Sequence, residues 1–191
     1  TAPDLAAAIN VMRTRRSMPE ASYLSLRPFA SAGARGLIGA GFGIKPEDSE
    51  FEAMRTEFLD QYESAIAVHS KLFEHVPALL HGLDSLKLPW GIVTNKAKRF
   101  TRPLVPLLDL EQARCVVCGD TTPHAKPHPA PLLEAARQLG VRSEECWYIG
   151  DDLRDIQAAE AAGMTSIAAA WGYCGATEPQ HWKADAIVDS P

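Results

Sequence analysis

The chain lacks an excess of positive charge and lacks a long hydrophobic run. Its 24 acidic residues outnumber the 19 basic ones, which gives a formal net charge of −5. Because a phosphate backbone is bound through a basic face, this balance argues against nucleic acid as a partner. No apolar stretch approaches the ~18 residues of a membrane span, and no charged segment followed by an apolar one opens the sequence. We therefore expect a cytoplasmic protein with no membrane or nucleic-acid partner.

Cysteine is also scarce, with four residues in the chain. Cys115 and Cys118 have the spacing of half a zinc site, but no second pair completes it. The segment around them is typical of a strand, in which two residues three apart point to opposite faces. We predict free, buried or partly buried thiols rather than a disulfide or a zinc site.

The hydrophobic pattern changes near residue 75. Before it the chain shows helical periodicity and no convincing strand. Its clearest helix is predicted to begin at Pro46-Glu47-Asp48 and to bury one apolar face. That face carries Phe51, Met54, Phe58, Tyr62, Ala65 and Ile66. With 191 residues the chain has room for one or two domains, and we predict a helical domain over about 1–75 and an α/β domain over 76–191.

Short apolar runs alternate with helical patterns in the second part of the chain. This alternation predicts a Rossmann-like α/β fold, with a parallel sheet flanked by helices. The predicted helices are Val76 to about Lys87, Ala97–Leu107, Pro131–Leu139 and Asp152–Ala162, and Gly140 and Gly163 follow the last two as C-caps. The predicted strands are Trp90–Thr94, Arg114–Cys118, Cys146–Ile149 and Thr165–Ala170.

Polar residues follow the first of these strands and occupy a later proline-rich loop. Thr94 ends a predicted buried strand, so its hydroxyl and the amide groups after it, including those of Asn95, suit phosphate oxygens. Lys126 lies in a loop stiffened by prolines, which can aim an ammonium group inward. Each feature has a plainer interpretation, a capping turn for Thr94-Asn95 and a solvated surface lysine for Lys126.

Three carboxylates follow the predicted strand Cys146–Ile149. Asp151, Asp152 and Asp155 would repel one another unless a cation or a helix dipole compensates for their charge. Hard oxygen ligands so placed, with positions left for water and phosphate, suit Mg²⁺. A calcium-binding loop fails on spacing, whereas acidic capping of the following helix stays an alternative.

Together, Thr94, Lys126 and the segment 150–155 resemble the second, third and fourth motifs of the haloacid-dehalogenase-like phosphohydrolases. The phosphoglycolate phosphatase branch is the most similar, because its first motif is typically followed by Thr-Ala-Pro-Asp-Leu, and this chain opens on those residues. Further similarity runs through residues 120–121 and 161–164. The likeness covers the whole chain apart from the first strand and its Asp-x-Asp motif.

The resemblance implies a Mg²⁺-dependent phosphomonoester hydrolase that acts on a small phosphorylated metabolite, with 2-phosphoglycolate favoured. In this family one aspartate attacks phosphorus to form an aspartyl-phosphate, and a second protonates the leaving alcohol. Neither lies within residues 1–191, so we expect upstream residues to carry them. By resemblance, Thr94 and Lys126 are catalytic and bind phosphate together with Asn95, while Asp151, Asp155 and, with less support, Asp152 serve the metal.

The resemblance also implies that residues from about Asp4 to Ser70 form an inserted all-helical cap in which substrate choice resides. Arg35, ahead of Arg27, is the candidate contact for a second anionic group, since a guanidinium binds carboxylates in two-pronged fashion.

The alternatives within the fold are an amino-sugar phosphate phosphatase, a pyrophosphatase and a phosphosugar mutase. An alternative of another class is a non-catalytic phosphate-binding or regulatory protein without the nucleophile. A monomer or a homodimer is expected.

Overall fold

The computed structural model describes residues 1–175 and 177–191 and divides into two units, residues 1–71 and 72–191. In the described part of the chain, no helix combines the length and the apolar character that crossing a membrane requires. All four cysteines are free thiols, as predicted, and Cys115 and Cys118 are buried.

The first unit is entirely helical. The helices are α1 (Ala2–Arg15), α2 (Tyr23–Leu26), a 3₁₀ helix (Arg27–Ala32), α3 (Gly33–Phe42) and α4 (Phe51–Ser64). The core forms where α1, α3 and α4 pack, with Ile9, Met12, Leu37, Phe58 and Tyr62 almost fully buried.

The predicted start and end of α4 are wrong, and its predicted buried face is right only as far as Tyr62, since Ala65 is exposed. Phe51, Met54, Phe58 and Tyr62 are buried as predicted. The helix begins only at Phe51, because the Asp48 carboxylate accepts a hydrogen bond from the backbone N–H of Lys45 and closes a turn instead of starting a helix. Residues 65 and 66 follow its end at Ser64.

The second unit alternates helices with short parallel strands, which confirms the predicted α/β class. The helices are α5 (Val76–Ser85), α6 (Lys98–Leu107), α7 (Ala130–Leu139) and α8 (Leu153–Ala162). The strands are β1 (Ile92–Val93), β2 (Val116–Val117), β3 (Trp147–Gly150), β4 (Thr165–Ala169) and β5 (Ala186–Val188). The prediction missed β5, because this strand has only three residues and polar residues lie on both sides of it.

Within the described residues the strands form two sheets rather than the predicted single one, with orders β1-β2 and β3-β4-β5. Strand β3 is also less buried than predicted: Trp147 is 75% exposed and Ile149 is 46% exposed, whereas Tyr148 and Gly150 are partly buried. Because alternate residues of a strand face opposite sides, β3 turns Tyr148 and Gly150 away from that exposed face. Helices α7 and α8 contribute a core of Leu132, Ala136, Ala158, Ala159 and Ala162.

Candidate functional site

The candidate site lies around the carboxyl ends of β1 and β3, and Lys126 is at its centre. Lys126 precedes α7 in a loop that contains Pro123, Pro127 and Pro129. Its side chain is only 10% exposed, so the loop directs the ammonium inward, as predicted. A buried ammonium is stable only when its donors are satisfied.

Three oxygen atoms satisfy the Lys126 ammonium. Its Nζ donates to Asp155 Oδ1 at 2.6 Å, to the Tyr148 hydroxyl at 2.9 Å and to the Val93 carbonyl at 3.1 Å. Asp155 is equally buried, with 7% of its side chain exposed. The ammonium therefore joins β1, β3 and the first turn of α8 through a single charged group.

The Asn95 side chain fixes the backbone of Lys126. Asn95 Oδ1 accepts a hydrogen bond from the Lys126 N–H at 3.0 Å, and Asn95 Nδ2 donates to the Lys126 carbonyl at 2.9 Å. Both ends of the side-chain amide are therefore engaged with the lysine, and this side chain holds Lys126 in place. Phosphate binding by Asn95 was predicted through its backbone N–H, and that role stays a prediction.

Thr94 lies between the two residues that hold Lys126. Its backbone N–H donates to the Val117 carbonyl, which continues the pairing of β1 with β2. The hydroxyl accepts a hydrogen bond from the Lys96 N–H at 3.1 Å. Since a hydroxyl is also a donor, Thr94 still has a proton to offer to an oxygen atom next to Lys126.

Asp152 begins α8. Its carboxylate accepts hydrogen bonds from the Arg154 N–H at 3.0 Å, from Nε at 2.7 Å and from Nη2 at 2.8 Å. The Asp155 carboxylate accepts a hydrogen bond from the Asp152 N–H, which completes a capping box. Burial raises the pKa of Asp152, but its bonds from Arg154 outweigh burial and leave this pKa below the usual range. The structure thus shows the capping alternative for Asp152, and its metal role stays a prediction.

The negative charge of Asp151 is stabilised by its neighbours less than that of Asp152 is. Burial raises its pKa, and repulsion from Asp155 and Asp152 raises it further, while one hydrogen bond from the Tyr173 N–H opposes both. The backbone of Gly172 lies so close that a Cβ there would overlap the Asp151 side chain. A cation beside Asp151 would relieve this repulsion.

The donor set fits Mg²⁺ better than a metal held entirely by protein. Among residues 1–175 and 177–191, no three His, Cys, Asp or Glu side chains are grouped to hold a metal ion. Mg²⁺ is typically bound by one or two carboxylates, with water and substrate phosphate completing its octahedron. Asp151 and Asp155 can supply those carboxylates.

Lys96, next to the site, is expected to make stability depend on pH. Burial lowers its pKa from 10.5 to about 8. Between these values the unfolded chain holds a proton that the folded chain has lost, so stability rises with pH. Relative to Lys96→Met, the natural protein should gain about 1–2 kcal/mol of unfolding free energy in urea between about pH 7.5 and pH 9.5. A difference that stays constant with pH would contradict the burial of this ammonium.

The two candidate arginines belong to the first unit. Arg35 is exposed in the first turn of α3, and Arg27 is partly buried at the start of the 3₁₀ helix. Their contact with a substrate stays a prediction.

The sequence reasoning missed Tyr148 and the 172–173 turn. Tyr148 lies three residues before Asp151 in an apolar run, where an aromatic residue is ordinarily read as core. Its position could have indicated a role in the site, because Tyr148 lies two residues before Gly150 and alternate residues of a strand face the same side. Nothing local marks Tyr173, which reaches Asp151 from 22 residues away.

Comparison with known proteins gives consistent matches. A family model described as haloacid dehalogenase-like hydrolase matches residues 21–169. A phosphoglycolate phosphatase of Xanthomonas campestris is 42% identical over 194 residues, which cover 100% of this chain and 87% of that protein. An N-acetylmuramic acid 6-phosphate phosphatase of Pseudomonas aeruginosa is 40% identical, with 100% of this chain and 85% of that protein covered.

The fold is similar to that of solved structures as well. The crystal structure of a predicted phosphoglycolate phosphatase from Haemophilus somnus superposes with a TM-score of 0.85 at 25% sequence identity. The match covers 99% of this chain and 88% of that one.

Proposed function

Because the chain belongs to the haloacid dehalogenase-like hydrolases, we propose that it is a phosphatase that hydrolyses 2-phosphoglycolate. The position of the buried Lys126 ammonium is the observation that carries the proposal. The ammonium donates a hydrogen bond to the Val93 carbonyl, and the backbone N–H of Lys126 donates to the Asn95 side chain. These two residues flank Thr94, so a cation and a hydroxyl donor meet at one point. Such a pair suits the oxygens of a phosphoryl group.

The proposed roles follow from this geometry. Lys126 neutralises negative charge that builds up on the phosphoryl oxygens, and Thr94 orients the group through a hydrogen bond. Asp151 and Asp155 would hold Mg²⁺, which supplies further charge neutralisation when bound. Asn95 and Asp155 keep Lys126 from turning toward solvent.

The proposal assigns the attacking carboxylate to a segment outside residues 1–191, since no Asp-x-Asp pair occurs within them. The pairing pattern supports this assignment. Strands β1 and β3 belong to different sheets, and side chains rather than backbone pairs connect them at Val93. A further parallel strand placed between them would carry its C-terminal residues to Lys126.

We further propose that the helical unit is a substrate-selecting cap, within which Arg35 and then Arg27 contact the substrate. A guanidinium pairs with a carboxylate in two-pronged fashion, and 2-phosphoglycolate carries a carboxylate next to its phosphate ester. A second candidate substrate is N-acetylmuramic acid 6-phosphate, because a relative of that name matches almost as well as the phosphoglycolate phosphatases. That substrate also carries a carboxylate.

The test is phosphate release from both substrates and from p-nitrophenyl phosphate, with and without Mg²⁺. The protein should be the full natural chain, with its N-terminus verified by intact mass. Mg²⁺-dependent release with a preference for 2-phosphoglycolate is the expected result. Preference for N-acetylmuramic acid 6-phosphate would make that ester the assigned substrate. No release from any ester would overturn the phosphatase assignment.

Asn95→Ala tests whether the side chain works through Lys126. We expect a loss of about 1–2 kcal/mol of stability, the usual cost of a lost hydrogen-bond pair, together with roughly tenfold slower phosphate release. Chemical denaturation and the phosphate assay measure these two effects.

Asn10→Ala is the matched control. The Asn10 amide makes the same two bonds to the backbone of Ala21, at 3.0 and 2.9 Å, inside the helical unit. It should cost similar stability and leave the rate unchanged. Equal rates for the two variants would show that Asn95 only stabilises the fold.

A further inference from the structure

Tyr148 is a partly buried polar side chain that the mechanism above does not use. It lies on β3, and its hydroxyl accepts a hydrogen bond from Lys126 Nζ at 2.9 Å. The same oxygen is 3.3 Å from Asp155 Oδ1 and 3.3 Å from the Val93 carbonyl. The hydroxyl therefore lies within hydrogen-bond distance of the ammonium and of its two other acceptors, Asp155 and Val93.

The donors and acceptors of this cluster balance. An ammonium has three N–H donors, and Lys126 directs them to Asp155, Tyr148 and Val93. The tyrosine hydroxyl accepts one of these and has one proton of its own, which it can give to Asp155 or to Val93. Without the hydroxyl, one N–H of the ammonium would lose its acceptor, and Lys126 could rotate toward another partner.

The tyrosine contacts Lys126 through its oxygen and not through the face of its ring. Lys126 Nζ lies 2.9 Å from the hydroxyl oxygen and 5.5 Å from the ring centroid, which places it beyond the hydroxyl and close to the ring plane. The side chain thus offers Lys126 a fixed neutral partner beside the charged one.

We propose that Tyr148 is a positioning residue that holds the Lys126 ammonium between β1 and Asp155, so that Lys126 meets the phosphoryl group in one orientation. This inference rests on the proposed phosphatase function and deepens it. Asp155 alone would pull the ammonium toward α8, whereas the Tyr148 hydroxyl, bonded on the β3 side, opposes that pull. A residue that only filled space would need the ring and not the oxygen.

Tyr148→Phe separates these cases because it removes the oxygen and keeps the ring. We expect kcat for phosphate release to fall roughly tenfold, as for the loss of a hydrogen bond to a charged group, while KM changes less than about threefold. Tyr23→Phe is the matched control, because Tyr23 is 40% exposed in the helical unit. Both variants are compared at a temperature at which circular dichroism shows them folded.

A second readout does not depend on activity. Lys126 in the natural protein should react slowly with acetic anhydride, because its side chain is 10% exposed. Peptide mass spectrometry should find faster acetylation of Lys126 in Tyr148→Phe, while exposed Lys45 reacts equally in both proteins.

The two readouts distinguish the possible failures. An active natural protein with unchanged kcat in Tyr148→Phe would overturn the positioning role. An inactive natural protein would overturn the phosphatase function, and acetylation would then decide the role of Tyr148 by itself. Faster labelling of Lys126 supports the role, and unchanged labelling overturns it.

Discussion

Replacing Lys126 with methionine is expected to reduce phosphate release by about 10³-fold, since it removes the cation that stabilises charge on the phosphoryl oxygens. The same change leaves Asp155 as a buried carboxylate without its cation. Removing one partner of a buried ion pair typically costs about 3–5 kcal/mol. Phosphate assays and urea unfolding of the variant measure the two effects, and Lys45→Met, at an exposed position, serves as the control.

A double variant separates the loss of activity from the loss of stability. Adding Asp155→Asn to Lys126→Met removes the uncompensated charge, so part of the stability should return. No activity should return with it, because the cation is still missing. A Lys126→Met protein that keeps a tenth or more of the natural rate would show that the ammonium is not part of the reaction.

Replacing Asp151 with asparagine is expected to have opposite effects on activity and on stability. The raised pKa of Asp151 means that, between its unfolded and folded pKa values, the folded chain binds the extra proton. Stability therefore falls as pH rises through that window. Asparagine removes this charge, so the metal-free variant should be more stable than the natural protein above that window. Turnover that depends on Mg²⁺ should be lost.

Asp152→Asn is the contrasting change one residue away. Because the Asp152 carboxylate caps α8 and binds Arg154, its loss should lower stability by about 1 kcal/mol. The Mg²⁺ concentration that gives half-maximal rate should stay the same. Thermal unfolding with and without Mg²⁺ adds a second measurement: the natural protein and Asp152→Asn should be stabilised by the ion, and Asp151→Asn should not. Stabilisation of all three proteins would place the ion elsewhere.

The strand positions were predictable because local pattern determines them. Apolar runs bounded by polar residues placed the first four strands within a few residues, and the glycines after α7 and α8 marked the ends of these helices. The bounds of α4 were not predictable in the same way. Proline and acidic residues favour a first helical turn in general, but the Asp48 side chain bonds to the Lys45 backbone and forms a separate turn.

The sequence by itself predicted which chemical groups belong to the candidate site. Parallel strands end at one edge of a sheet, so a polar residue after each apolar run predicts a common location for Thr94 and Asp151, although β1 and β3 lie in different sheets. The proline-stiffened loop predicted that Lys126 points inward, and the structure confirms this.

Only the tertiary structure decided what each group bonds to. Asn95 reaches Lys126 across 31 residues, Tyr148 reaches Val93 across 55, and Tyr173 reaches Asp151 across 22. A sequence motif records residue types and spacing along the chain, whereas a hydrogen bond requires two atoms to come within about 3 Å after folding. Local spacing therefore predicted the donors and the acids, and it offered the cap of α8 as an alternative role for an acid. Only the packing of distant segments directed Asn95 and Tyr148 to Lys126.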